Sequence, residues 1–277
     1  MKSNKTTSGV SIAINSTLLA SQNGNTLFEK KQPSDFTIKV ANTLEEREAV
    51  FRLAYQVYLD KGFIRKNVNE WLVHNYDANS ETMILIVKDL NKKIVASVTL
   101  VFGGKSRLPA QKIYSEEIAQ LIAANEKIVE ISRLVISPDF RNSKDILVLL
   151  FNYLCIYSYH VKKYSCLAIE VNPRHKNYYK SLLSFKEIGG EKPCPIVENA
   201  PAVLLHLSLK EYQSEVYRCA ASINDNKKER SLYAYFIKPE QEKLVAHYLQ
   251  NQFRPMRAEE KLYFGFVESG HHKAVKI

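Results

Sequence analysis

The stretches IVEISRLVI, residues 128–136, and CLAIEVNPRHKNYY, residues 166–179, decide how this chain folds. The first is an apolar run that is closed by Pro138 and predicts a strand. The second opens with CLAIEV, which is short and apolar enough for a strand in the centre of a sheet. Residues 146–161 between them predict a strongly apolar helix, and a further helix is predicted from about residue 175 to 184.

The chain before this segment begins with a weakly patterned arm. Residues 1–33 are rich in Ser, Asn, Thr and Lys and predict a flexible arm, because such a composition cannot offset its ordering entropy. Residues 36–40 (FTIKV) alternate as a strand does, and Thr43 with Glu46 forms a capping box for a helix that ends near Gly62. The remaining upstream elements are two strands of a hairpin and a short helix, predicted at residues 83–87, 94–102 and 115–124.

Downstream, Gly189 and Gly190 are expected to break the chain before the last strand of the sheet, residues 202–209. Residues 211–277 predict a helical C-terminal extension of two stretches, separated by the charged run 224–230. The predicted organisation is thus an arm, a domain of residues 34–210 and this extension. A chain of 277 residues fits one core of roughly 170–180 residues with appendages.

The order of elements excludes several common enzyme folds. It runs strand, helix, three strands with a small helix inserted, helix, strand, helix, strand, whereas doubly wound nucleotide-binding sheets alternate strand and helix throughout. The chain also has no G-x-G-x-x-G, no P-loop and no G-x-S-x-G. The pattern therefore predicts a mixed sheet flanked by helices, in the α/β (α+β) class.

The net charge and the cysteine content limit the classes of partner and the cellular compartments that fit this sequence. The formal net charge of +10 favours an anionic partner, but scattered basic residues without interleaved aromatics argue against nucleic acid. The four cysteines have neither disulfide nor zinc-ligand spacing, which favours reduced thiols and no metal. Residues 10–20 only faintly resemble a signal peptide, and no window is apolar enough for a membrane span, so a cytoplasmic protein is expected.

Four segments carry a resemblance to a known family. They are residues 50–63 (VFRLAYQVYLDKGF), Tyr76-Asp77, Glu130-Ile131-Ser132-Arg133, and residues 172–179 followed by Phe185. Together with the element order, they resemble the GCN5-related N-acyltransferase fold, and within it the N-acyl amino acid synthases of the FeeM type and the related acyl-homoserine-lactone synthases. The resemblance covers about residues 36–209. One departure is Ala54, where these families usually carry an Arg before the aromatic residue of the first helix.

The resemblance implies transfer of a long fatty acyl chain from acyl carrier protein to the amino group of an amino acid or similar amine. The implied product is a membrane-active lipid, and the phosphopantetheine of the carrier protein is the only cofactor-like group. An apolar tunnel for the acyl chain is expected between residues 94–102 and 128–136. Two alternatives stay open: an acyl-coenzyme-A-dependent acetyltransferase, and a catalytically silent fold that serves as a binding module.

Candidate catalytic residues follow from the chemistry of amide formation. The amine must lose a proton, the tetrahedral oxyanion needs a donor, and the leaving thiolate needs a proton. Glu130 is the candidate base, although it could instead bond a neighbouring Arg. Ser132 shares its face because it lies two residues on, whereas Arg133 is expected to point away and to form a structural ion pair with Asp77. The resemblance suggests Tyr179 as proton donor to the thiolate, with packing as the alternative.

The expected donor site lies between the strand 128–136 and the apolar helix. Coenzyme-A-dependent members of the fold bind the pyrophosphate with a glycine-rich turn, but this chain has Lys144 and Ile146 in place of the glycines. A carrier protein presents a single phosphodiester, which Arg141 and Lys144 could contact, as they could the acidic carrier surface. Asn172 is expected at the strand end where pantetheine enters.

Overall fold

The computed structural model describes residues 35–221 and 231–266. The predicted arm and the charged run 224–230 lie outside the described residues. Within the described ranges, no helix is both long enough and apolar enough to cross a membrane.

One mixed sheet of seven strands forms the centre of the protein. The strands are β1 Thr37–Val40, β2 Met83–Lys88, β3 Ile94–Phe102, β4 Ile128–Ile136, β5 Cys166–Val171, β6 Lys186–Cys194 and β7 Ala200–Ser208. Their order across the sheet is β1-β2-β3-β4-β5-β7-β6. β4 and β5 are parallel, and the other neighbouring pairs are antiparallel.

Helices cover both faces of the sheet. They are α1 Leu44–Asp60, α2 Ser115–Ala123, α3 Lys144–Ile156, α4 Pro173–Leu183, α5 Leu209–Ala221, α6 Pro239–Gln252 and α7 Ala258–Tyr263, and α3 continues into one turn of π-helix, Tyr157–Val161. The side chains of α3, α4, α5 and α6 pack with alternate strand residues in one large apolar cluster. α1, α2 and α7 pack against the opposite face in smaller clusters.

The predicted element order is confirmed, with one error at Gly189 and Gly190. These residues do not break the chain before the last strand but lie inside β6, where the pairing with β7 shifts register. A Cβ at Gly189 would lie 2.6 Å from Cδ1 of Tyr114, so the glycine is required by a ring packed against the strand. The sheet therefore has one strand more than the sequence predicted.

The N-terminus of α1 differs in detail from the predicted capping box. Thr43 Oγ1 accepts the backbone N–H of Glu46 at 3.2 Å, as predicted, but the Glu46 carboxylate accepts the N–H of Asn42 at 3.0 Å. The same carboxylate accepts the ammonium groups of Lys39 and Lys88, each at 2.8 Å. Burial alone would raise the pKa of Glu46, but these hydrogen bonds lower it to about 2.

Buried ion pairs and hydrogen bonds hold the C-terminal extension against the domain that contains the sheet. Arg47 of α1 donates to Glu260 of α7 at 2.6 Å and to the carbonyl of Arg254 at 2.6 Å. Arg254 also donates to Glu260, at 2.8 Å, and these partners lower the pKa of Glu260 to about 2 in spite of its burial. On the other face, buried Glu242 accepts the hydroxyl of Tyr212 at 2.9 Å. The domain boundary at residue 210 stays a prediction.

We expect acid to destabilise the fold through Glu46 and Glu260. Both carboxyls have a pKa of about 2 in the folded protein, below the ordinary value of 4.5. Such a group stabilises the fold at a pH above 4.5, and this contribution is lost as the pH falls towards 2. The free energy of unfolding, measured with urea, should therefore fall from pH 5 to pH 2.5. The Glu46→Gln variant should show a shallower fall, and an unchanged slope would contradict this assignment.

Candidate active site

The parallel strands β4 and β5 diverge and open a cavity in the sheet. They pair from Ile128 to Ile131 on β4 and from Cys166 to Ile169 on β5. Beyond these residues, β4 stays paired with β3, and β5 stays paired with β7. A cavity of about 210 Å³ lies at the divergence, lined by consecutive residues of both strands.

The expected tunnel between β3 and β4 is wrong. These strands are hydrogen-bonded neighbours from Ala96–Phe102 to Val129–Ile136, interrupted by a bulge, which leaves no channel between them. The cavity lies one strand further on, between β4 and β5, and Leu134 and Val171 belong to its apolar lining. At about 210 Å³ the cavity is smaller than the ~300–1,000 Å³ typical of small-molecule sites.

The structure brings most of the predicted site residues together. Glu130, Ser132, Arg133, Asn172 and Tyr179 all line the cavity. The lining also includes eight polar residues that are not among the predicted site residues: Tyr58, Lys61, His74, Tyr76, Glu170, Arg174, His175 and Cys194. In the described parts of the chain, no group of three or more His, Cys, Asp or Glu could hold a metal ion.

Glu130 is buried at the inner end of the cavity. One of its oxygens accepts the backbone N–H of Ala110 at 2.8 Å. Burial raises the pKa of Glu130 well above its usual range; the Ala110 bond lowers it, and the nearby Glu170 carboxyl raises it further. Burial therefore disfavours the ionised form of Glu130, which is the form that the predicted base requires. Its catalytic role stays a prediction.

A β-bulge in β4 orients the next two predicted residues. Ser97 of β3 is opposite Val135, but Thr99 is opposite Ser132, and Arg133 adopts a φ of 44° within the bulge. The expectation that Arg133 points away from Ser132 is wrong, because the bulge interrupts the alternation of side chains. Ser132 Oγ donates to the hydroxyl of Tyr76 at 3.1 Å, and Arg133 donates to Thr99 at 3.0 Å on that same side of the sheet.

Arg133 and Asp77 form a buried bidentate ion pair beneath the cavity. The guanidinium donates to the two carboxylate oxygens at 2.7 and 2.5 Å, and the two side chains are 1% and 0% exposed. The guanidinium carbon also lies 4.8 Å from the ring centroid of Phe51 on α1. This pair holds the segment 75–78, and with it Tyr76, against β4.

Tyr179 and Asn172 lie where the chain leaves β5. The ring of Tyr179 packs against Phe151 and Phe185, and burial raises the pKa of its hydroxyl to about 12. It therefore keeps its proton at neutral pH and can donate it. Asn172 Oδ1 accepts the N–H of Arg174 at 3.2 Å and caps α4, which turns the chain away from β4.

Cations surround the mouth of the cavity. Lys61 and Arg174 line it, and burial together with the charges of Arg141 and Arg174 lowers the pKa of Lys61. Arg141 is therefore close to the mouth although it does not line the cavity. Lys144 does not reach it either, because its ammonium lies 3.3 Å from the ring centroid of Tyr235 in the extension.

Among the missed residues, His74 and Glu170 have pKa values that burial shifts to about 4 and about 7. Burial, reinforced by Arg133, lowers the pKa of His74 to about 4, so its imidazole is neutral. Burial raises the pKa of Glu170 to about 7, against a hydrogen bond from Cys194. In the sequence, Glu170 is the single carboxylate of the apolar run CLAIEV, residues 166–171. This run lies beside IVEIS, residues 128–132, when the two strands are aligned in parallel. That alignment becomes visible only when the register of the two strands is known.

Comparison with known proteins identifies the family. Residues 49–208 match the family model of the N-acyl amino acid synthase FeeM. The chain belongs to the FeeM family of N-acyl amino acid synthases. The solved structure of FeeM from uncultured soil microbes has a TM-score of 0.57 and 22% identity, covering 65% of this chain and 93% of FeeM. The predicted GCN5-related N-acyltransferase fold is thereby confirmed.

Members of related synthase groups are more distant from this FeeM-family chain. The acyl-homoserine-lactone synthase LasI has a TM-score of 0.46 and 16% identity, covering 63% of this chain and 90% of its own. The CoA-dependent acyl-homoserine lactone synthase MesI has a TM-score of 0.45 and 16% identity, covering 70% and 98%. Among curated proteins, none matches the chain at a significant level.

Proposed function

We propose that this FeeM-family acyltransferase moves a long-chain fatty acyl group from the thioester of acyl carrier protein to the amino group of an amino acid or similar amine. The observation that carries this proposal is the cavity between β4 and β5, which combines carboxyls inside with cations at its mouth. An amine acceptor suits the carboxyls of Glu130 and Glu170. The carboxylate of an amino acid suits the cations, since opposite charges attract most strongly where water is partly excluded.

The start of α3 supports a carrier protein as donor. Ser143 Oγ accepts the N–H of Ile146 at 3.4 Å, and the side chain of Ile146 is fully buried. One backbone amide that a pyrophosphate would need is therefore already used within the helix cap. The phosphopantetheine arm carries a single phosphodiester, for which Lys61, Arg141 and Arg174 supply positive charge near the cavity. An acidic carrier surface would be attracted by the same residues, and such a partner places the reaction in the cytoplasm.

Tyr179 is proposed to return a proton to the pantetheine sulfur. Its hydroxyl is protonated at neutral pH, and Tyr179 lines the cavity from α4, whereas Glu130 lines it from β4. A thiolate that leaves between these groups would meet a proton donor on one side and the acceptor nitrogen on the other. Asn172, as the cap of α4, keeps the entrance to this opening in place.

We expect acyl carrier protein to be the better donor by at least about tenfold in rate, which corresponds to about 1.4 kcal/mol. Purified enzyme is supplied with an amino acid mixture and with either a long-chain acyl carrier protein or the matching acyl-coenzyme A. N-acyl amino acids are then quantified by mass spectrometry. Equal rates would contradict the donor assignment, and transfer of acetyl groups alone would favour a coenzyme-A-dependent acetyltransferase.

A charge reversal at the mouth tests the docking of the carrier protein. Arg141→Glu should reduce kcat/KM for acyl carrier protein several-fold at low salt and leave the small thioester acyl-pantetheine unaffected, because interface charges act mainly on association. Lys105→Glu, on a loop that does not line the cavity, serves as the matched control. An equal loss with both donors would place Arg141 outside the carrier-protein interface.

A further inference from the structure

Glu170 lies at the point where the two parallel strands separate. Glu130 on β4 is aligned with Ala168 on β5, and Glu170 follows two residues later. Side chains two residues apart on a strand share a face, so Glu170 projects from the same face as Glu130 and Ser132. It is the first carboxyl of β5 beyond the last paired residues, and it lines the cavity.

One oxygen of Glu170 has no donor. The thiol of Cys194 donates weakly to Oε2 at 3.8 Å, whereas Oε1 is buried and has no hydrogen-bond partner among the residues that the structure describes. Buried side-chain oxygens without a partner are rare, and each requires a physical explanation. A ligand N–H that enters the cavity would supply the missing donor.

We propose that Glu170 is the general base that accepts a proton from the ammonium group of the acceptor. The assignment rests on the proposed amide-forming function and names the group that activates its nucleophile. Glu130, by contrast, already accepts the N–H of Ala110 and is 2% exposed. It supports the inner end of the cavity through that hydrogen bond, so the two carboxyls have different tasks.

The electrostatics of the pair agree with this division. Two neighbouring carboxyls disfavour double ionisation, so one of them titrates first. Burial raises the pKa of Glu170 only to about 7, because the Cys194 thiol and the positive charge of Lys112 oppose it, whereas the pKa of Glu130 lies well above its usual range. A base with a pKa near the working pH is the most effective.

Cys194, Tyr58 and Tyr114 interact with Glu170 but do not ionise near neutral pH. Burial raises the pKa of the Cys194 thiol to about 11 and also raises the pKa values of two tyrosines. The groups that face Glu170 from neighbouring elements are Tyr58, Lys112, Tyr114, Glu130 and Cys194. A change of rate near pH 7 that is lost in Glu170→Gln and kept in Glu130→Gln therefore reports on Glu170.

The proton balance of the reaction is complete with one base and one acid. The Glu170 carboxylate takes one proton from the acceptor ammonium, and the nitrogen lone pair forms the C–N bond with the thioester carbonyl carbon. The tetrahedral intermediate collapses, the C–S bond breaks, and its electron pair leaves on sulfur. Tyr179 donates its proton to the sulfur, which leaves as a thiol, and takes the second proton of the nitrogen, so that the tyrosine is regenerated. Glu170 finally releases its proton to solvent.

The test compares three isosteric variants in the purified full-length enzyme, with acyl carrier protein and an amino acid as substrates. Glu170→Gln should lower kcat at pH 7 by about 10²–10⁴-fold, and the loss should shrink at high pH as the amine deprotonates unaided. Glu130→Gln should lose less, because the Gln side-chain oxygen can still accept the N–H of Ala110. Glu187→Gln, on β6 and paired with Lys176 away from the cavity, should retain the wild-type rate.

A second variant keeps the assignment testable if Glu170→Gln folds poorly. Cys194→Ala removes the hydrogen bond that lowers the pKa of Glu170, so the acid limb of the pH–rate profile should move to higher pH. If the acid limb of the pH–rate profile does not move, or if the Glu170→Gln rate is within about threefold of wild type, Glu170 is not the base. The proposed function still holds in that case, provided that the wild-type enzyme forms the amide. A wild-type enzyme that forms no amide overturns both.

Discussion

Arg133→Met is expected to lower the free energy of unfolding by about 3–5 kcal/mol, because it leaves the carboxylate of Asp77 buried without its counter-charge. The Asp77 side chain is 0% exposed, and both of its oxygens accept from Arg133. For a chain of this size the melting temperature should fall by on the order of 10 °C. Calorimetry or urea unfolding measures the loss directly.

An exposed ion pair supplies the control for Arg133. Arg65 contacts Glu198 at 3.3 Å with 87% of its side chain exposed, so Arg65→Met should change stability by less than about 1 kcal/mol. A double variant that replaces both Asp77 and Arg133 with apolar residues should recover part of the loss, since it removes the uncompensated charge. Equal stability of Arg133→Met and wild type would show that the pair does not hold the segment 75–78.

Glu260→Ala is expected to destabilise the protein by a similar amount, about 3–5 kcal/mol, and to loosen the C-terminal extension. The change leaves the buried guanidinium of Arg47 without its carboxylate and frees Arg254 as well. It also weakens the packing of Phe264 at the end of α7, where the centroid of its ring lies 4.8 Å from that of Phe51 on α1. Hydrogen exchange should accelerate in α7 before it does in the central strands.

The neighbouring residue offers a matched control for Glu260. Glu259 lies one position earlier, is 68% exposed and contacts Arg257 at 3.4 Å. Glu259→Ala should therefore cost less than about 1 kcal/mol. If both variants lost the same stability, the effect would come from the helix as a whole rather than from the buried charges.

The element order could be predicted because each strand and helix carries its own apolar period. β4 and β5 have the predicted bounds, and the helix between them was predicted to within a few residues, since burial on both faces leaves long apolar runs. β6 could not be predicted, because Gly189, Gly190 and Pro193 are residues that usually weaken strands. The reason for Gly189 is tertiary, a ring of Tyr114 that is distant in sequence.

Only those site residues that belong to recognisable sequence motifs could be predicted. Glu130, Ser132 and Arg133 lie on one strand, and Asp77 was paired with Arg133 from the resemblance. The roles of these residues depend on features without a local pattern: the bulge that turns Arg133 towards Ser132, and the burial that raises the pKa of Glu130. Glu170 becomes a candidate only through the register of β4 and β5, which a single strand does not encode.

Joining of a fatty acyl chain to an amine is the proposed activity of this protein, and its product can be detected directly. Lipid extracts from cells that overproduce the wild-type chain are compared by mass spectrometry with extracts from cells that overproduce Glu170→Gln. We expect new lipids in the wild-type extract whose fragments are a long-chain acyl group and an amino acid joined by an amide, and at least about tenfold less of them with the variant. Extracts without any new amide-linked lipid, or with acetylated amines alone, would contradict it.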